Sequence, residues 1–90
     1  MIKVKIPLAL LGMTGRRRIV ELEAADVREA VAAMDALFPG FGGRFYDEHG
    51  ALKGTIRIYV NKKDVRRMDG DRTRLADGDE LILLPALSGG

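Results

Sequence analysis

Ninety residues make one domain with one hydrophobic core, and a domain of that size buries too little surface to enclose a deep catalytic cavity. The net charge of +2 is too small to drive non-specific nucleic-acid binding by counterion release, and no apolar run approaches the roughly 20 residues of a membrane span. Cysteine is absent and His49 is the one histidine. The chain therefore cannot hold a persulfide, form a thioester through its own thiol, or build a thiolate or multi-histidine metal site.

The first residues alternate. Ile2, Val4, Ile6 and Leu8 recur at period two with Lys3, Lys5 and Pro7 between them, the pattern of a half-buried strand. It does not resemble a secretion signal, and with the lack of cysteine it fits a cytoplasmic protein. Gly12-Met13-Thr14-Gly15 supplies a turn, and residues 17–22 return as a second strand with Val20 and Leu22 inward. Arg16-Arg17-Arg18 then falls near a hairpin tip and reads as a solvated end.

A helix follows. Asp26 caps it, and Glu29 stands at the capping-box spacing. Val27, Ala30, Val31, Met34, Leu37 and Phe38 form one apolar stripe, which ends at Pro39-Gly40. Residues 41–54 are irregular and glycine-rich, with Phe45, Tyr46 and Leu52 as anchors and His49 in an exposed turn. Ile56, Ile58 and Val60 give a third strand, Asn61-Lys62-Lys63-Asp64 a turn, and Val65-Arg66 a short fourth strand. Asp77-Gly78-Asp79 turns the chain into a last strand over residues 80–85.

Two strands, a helix and then further strands predict an α+β domain with one helix covering a mixed sheet. The order fits a β-grasp, or ubiquitin-like, roll of four to five strands over residues 1–84. A split βαβ sandwich needs a second long amphipathic helix, which residues 62–79 do not supply. Residues 85–90 read as a C-terminal tail, and paired glycines there pack nothing, although they suit a chain end that must enter a narrow channel. In the last strand Leu81, Ile82, Leu83 and Leu84 are apolar on both faces, whereas a sheet with one wet face alternates. One pair faces the helix; Ile82 and Leu84 then join Tyr59, with Leu87 beyond, in a docking patch on the open side. The alternative is that residues 41–54 fold over that face.

Three stretches taken together resemble a known family. Ile58-Tyr59-Val60-Asn61-Lys62-Lys63-Asp64-Val65-Arg66, then Leu75-Ala76-Asp77-Gly78-Asp79-Glu80, then Leu83-Leu84-Pro85-Ala86-Leu87-Ser88-Gly89-Gly90 are similar in order and spacing to the MoaD/ThiS sulfur carriers. The resemblance implies a carrier rather than an enzyme. A MoeB/ThiF-type activating enzyme would use ATP to adenylate the Gly90 carboxylate, and sulfur would displace AMP to leave a thiocarboxylate. Ser88 and Gly89 would thread the channel. The acceptor would be a cysteine synthase or the large subunit of molybdopterin synthase, with no permanently bound cofactor, nucleic acid or membrane involved. Within the family, the Tyr59-Val60-Asn61 and Asp64-Val65-Arg66 pattern looks most like the carriers serving cysteine biosynthesis, with the small subunit of molybdopterin synthase a close second, although the basic Asn61-Lys62-Lys63-Asp64 turn departs from the more acidic turn expected of the first branch. A ubiquitin-like modifier joined through Gly90 to lysines is the alternative, and a plain interaction domain with an incidental Gly-Gly ending is a third reading.

Overall fold

The alternating pattern of the N-terminus becomes β1 (Ile2–Lys5), whose Ile2 and Val4 point into the core while Lys3 and Lys5 face water. The structure, a computed structural model, describes residues 1–85. β1 pairs antiparallel with β2 (Ile19–Leu22), with Val4 opposite Val20. The connection is longer and more ordered than a simple turn. Ile6 is still buried, but Pro7 fixes its own φ and starts a 3-10 run over Leu8–Met13. Leu10 and Leu11 go inward there, and Leu8, expected to continue the strand, is instead 84 % exposed.

The capped segment forms α1 (Val27–Leu37). Asp26 accepts the Glu29 N–H at 2.8 Å, and Glu29 reaches back to the Ala25 N–H at 3.2 Å, one residue before the cap. Val27, Ala30, Val31 and Met34 are buried as the periodicity predicts. Leu37 is 55 % exposed, and Phe38, where the chain leaves the helix, packs against the core in its place. Gly40, at φ 95°, reverses the chain in a conformation that strains any residue with a Cβ.

Residues 41–54 pack beside α1. Phe41 and Phe45 are fully buried with ring centroids 5.4 Å apart, and Asp35 near the end of α1 accepts the Gly42 N–H at 2.8 Å. Lower on the helix, the Tyr46 hydroxyl donates to Asp71 at 2.9 Å, and Arg28 pairs with the same carboxylate at 2.8 Å while lying over the Tyr46 ring. This cluster joins helix, insert and the 3-10 turn Gly70–Arg72. Burial first, and then the bond to Asp71, hold the Tyr46 phenol well above its ordinary value. A phenol shifted upward adds stability that is complete below the unfolded value of about 10 and drains away as pH rises past it. Tyr46→Phe is therefore expected to cost about 1 kcal/mol near neutrality, with the gap to wild type narrowing above about pH 10. Urea melts across that range measure it.

Three further strands complete the sheet. β3 (Arg57–Val60) turns through Asn61 and Lys62, at φ 49° and 73°, into β4 (Lys63–Asp64). That is the two-residue hairpin turn whose twist matches the strands. The expected fourth strand at Val65-Arg66 is not one: Asp64 accepts the Arg66 N–H at 2.9 Å and caps a 3-10 turn over Val65–Arg67, so the strand is the pair before it. β5 (Glu80–Leu84) runs up the middle, in the order β2-β1-β5-β3-β4, parallel to β1 and antiparallel to β3. Among the described residues no helix is long and apolar enough to cross a membrane.

Candidate functional site

β5 carries opposite chemistry on its two faces. Leu81 and Leu83 are fully buried under α1, whereas Glu80, Ile82 and Leu84 are half-buried on the face away from the helix. Register fixes their neighbours. Ile82 lies between Lys5 of β1 and Tyr59 of β3, and Leu84 stands opposite Arg57. Lys5 also faces Ile19 of β2, itself 49 % exposed, so an apolar row crosses the sheet from Ile19 to Tyr59 with one lysine in it. That lysine leans away from the row to meet Glu80 at 3.2 Å.

Residues 41–54 do not cover this face; their side-chain hydrogen bonds to the rest of the domain run to α1, Asp71 and Arg66. Tyr59, Ile82 and Leu84 are thus brought together on the uncovered side of the sheet. Leu87, Ser88, Gly89 and Gly90 lie outside the described residues. The last described residue, Pro85, follows directly on the central strand, whose last residue Leu84 pairs with Arg57 of β3.

The motifs that carry the resemblance have a structural job that their spacing alone conceals. The Asn61 side chain donates to Asp79 at 2.9 Å and accepts the Glu80 N–H at 3.0 Å, while its own N–H donates to the Glu80 carbonyl at 2.9 Å. Asp79 also accepts the Ala76 N–H at 2.8 Å, closing the turn at Gly78, φ 89°. The Tyr-Val-Asn and Asp-Gly-Asp-Glu segments are therefore two halves of one latch that fixes where β5 begins. Arg66 does similar work at the other end, donating to the carbonyls of Ile56, at 2.9 Å, and Gly54. Asp77, the other turn carboxylate, pairs with the Met1 amine, whose bond and charge hold it below the usual carboxylate range.

The latch could have been suspected from sequence, because Asn in the first central position of a two-residue turn tolerates positive φ. Its reach to Asp79 could not. Asn61→Ala removes these side-chain bonds and leaves a Cβ residue at positive φ, so a loss of about 2–3 kcal/mol is expected. Asn61→Gly is expected to recover about 1 kcal/mol of it by relieving the backbone alone. Chemical denaturation of the two variants separates the contributions.

A mixed five-stranded sheet over one main helix, with a central strand leading to the chain's tail, defines a ubiquitin-like β-grasp domain. The ThiS family model matches residues 4–90, and the chain belongs to that family. The sulfur carrier protein CysO of Mycobacterium tuberculosis is 34% identical over 91 residues, covering 99% of this chain and 98% of that one. A chain in the crystal structure of the Amycolatopsis orientalis BexX/CysO complex superposes with a TM-score of 0.90 at 36% identity, over 100% of both chains. Small archaeal modifier protein 3 of Haloferax volcanii is 30% identical over 66 residues, 73% of this chain and 71% of its own length.

Proposed function

We propose that this protein is a sulfur carrier of the CysO kind, working as a co-substrate through the Gly90 carboxylate. A MoeB/ThiF-type activating enzyme joins that carboxylate to AMP: its oxygen attacks the α-phosphorus of ATP and pyrophosphate leaves. A carboxylate is a poor electrophile, and the mixed anhydride with AMP turns one of its oxygens into part of a good leaving group. The outer sulfur of a persulfide donor then attacks the acyl carbon and AMP departs, leaving an acyl persulfide; a second thiol on the partner attacks its S–S bond, so that a disulfide forms there and the terminus leaves as a thiocarboxylate. An acceptor enzyme takes the sulfur, in cysteine biosynthesis by the cysteine-synthase route or, as the second choice, at the large subunit of molybdopterin synthase.

The observation that carries this reading is the likeness to CysO along the whole chain, with the family match running on through Gly90. The complex of BexX with CysO supports action through a protein partner. The cytoplasm is the compartment in which such partners and ATP are available. Intact-mass measurement of the protein purified from its own cells tests the reading. A species heavier by the difference between sulfur and oxygen, mapped to Gly90, is expected; its absence after incubation with ATP, the activating enzyme and a sulfide source sinks the proposal.

Likeness to small archaeal modifier protein 3 favours a second reading. The same activated Gly90 would be attacked by a lysine amine, and the protein would end as an isopeptide-linked modifier. A ladder of conjugates in cell extract supports that outcome, whereas a single band supports the carrier.

A further inference from the structure

The arginine run that the function leaves unused comes together with a distant arginine where β5 ends. Ile6, next after β1, donates its N–H to the Arg18 carbonyl at 2.8 Å, which places Arg16-Arg17-Arg18 at the end of the sheet where β1 and β5 finish. Arg57, from the far side of the sequence, stands opposite Leu84 on the other flank of β5. With strands about 4.8 Å apart, the positions of Arg18 and Arg57 span only about 15 Å across the exit. All four arginines are exposed. None is salt-bridged to a carboxylate among the described residues; Arg17 only lies 6.0 Å from the Phe38 ring. The acidic side chains Glu23, Asp77 and Asp79 gather at the opposite end, around Met1 and Asn61. The small net charge thus conceals a polarised sheet whose cationic pole surrounds the tail's departure.

We propose that Arg16, Arg18 and Arg57 form a cationic collar that docks on an acidic rim around the tail channel of the activating enzyme. This rests on the reading that Gly90 is the reacting group. Five residues beyond Pro85, even fully extended, reach about 17 Å. The enzyme's surface must therefore come close to the exit end of the sheet before Gly90 meets the nucleotide, and the collar faces that surface. Like charges across such a contact are costly, and opposite charges speed the encounter, chiefly at low salt. Exposed charges of this kind act on the association rate far more than on the lifetime of the complex.

The test is stopped-flow binding of the full-length protein to the MoeB/ThiF-type enzyme of its own cells, without ATP, with adenylation measured separately. For the variant Arg16→Gln, Arg18→Gln, Arg57→Gln, association about tenfold slower than wild type is expected at low salt, with the gap closing as salt shortens the screening length. A second variant, Lys63→Gln, Arg72→Gln, Arg74→Gln, loses the same charge away from the exit end, Lys63 beside Val60 and Arg74 beside Asp26, and is expected to associate within about twofold of wild type. Equal slowing of both variants, or no slowing of the first, overturns the collar even if adenylation proceeds normally. Binding with the expected pattern but no adenylation keeps the collar and defeats the sulfur-carrier reading instead. Failure of the wild type to bind at all overturns both. Salt-resistant binding of a single-stranded oligonucleotide, lost only in the first variant, also overturns the proposal, since the collar would then serve a nucleic acid.

Discussion

Gly89→Val is expected to melt with wild-type cooperativity and at the wild-type temperature, yet to be adenylated at least about 100-fold more slowly. Among the described residues the buried core runs from Ile2 to Leu83, before the tail begins. Valine adds a branched Cβ and fixes χ1, which restricts both the width and the backbone freedom of the segment next to the reacting group. A carboxylate held even about 1 Å from its line of attack on the nucleotide loses about two orders of magnitude in rate. Pyrophosphate exchange catalysed by the activating enzyme measures this, and Ser88→Ala, a small residue for a small residue, is expected to stay within a few-fold of wild type. Normal exchange by Gly89→Val would show that the channel does not constrain the tail. The proposal would then have to place the chemistry elsewhere.

The elements that sequence reading located well are those in which one residue pattern has one physical cause. Val27, Ala30, Val31 and Met34 follow helical spacing because a single stripe must meet the sheet, and Ile2, Val4, Val20, Leu22, Ile58 and Val60 alternate because one sheet face is covered. The errors came where apolar character has two possible uses. Leu8 continues the alternation of β1 on paper, but Pro7 breaks the ladder and the following 3-10 run directs Leu10 and Leu11 inward in its place. Val65 reads as strand, yet the Asp64 side chain captures the next N–H and closes a turn. Leu37 keeps helical register, but Phe38, the next residue, packs against the core instead. The candidate site divides the same way. Its apolar residues on β3 and β5 were legible from a run that refuses to alternate, while the Asn61–Asp79 latch and the arginine collar depend on residues far apart in sequence. Only strand order brings those together.

Neighbouring residues of β5 are expected to fail in opposite ways. Leu83→Ala removes a fully buried side chain from the centre of the core, where the strands on both sides and α1 prevent collapse into the space. A loss of about 2–5 kcal/mol is expected, a large share of the stability of a domain this small, and partner binding per folded molecule should be unchanged. Ile82→Glu changes the other face. Its side chain is only half-buried, it stands opposite Lys5, and a carboxylate there remains in water and meets an ammonium. Destabilisation within about 1 kcal/mol is expected. Docking is another matter: a charge placed between Lys5 and Tyr59 has to be stripped of water when a partner covers the row, and binding is expected to weaken about 100-fold or more. Urea melts and titration with the activating enzyme score both variants. If Ile82→Glu binds like wild type, the row from Ile19 to Tyr59 is ordinary surface and the enzyme grips the protein by its tail and collar alone. If instead Leu83→Ala is the variant that loses affinity while staying folded, the two faces of β5 have been assigned the wrong way round.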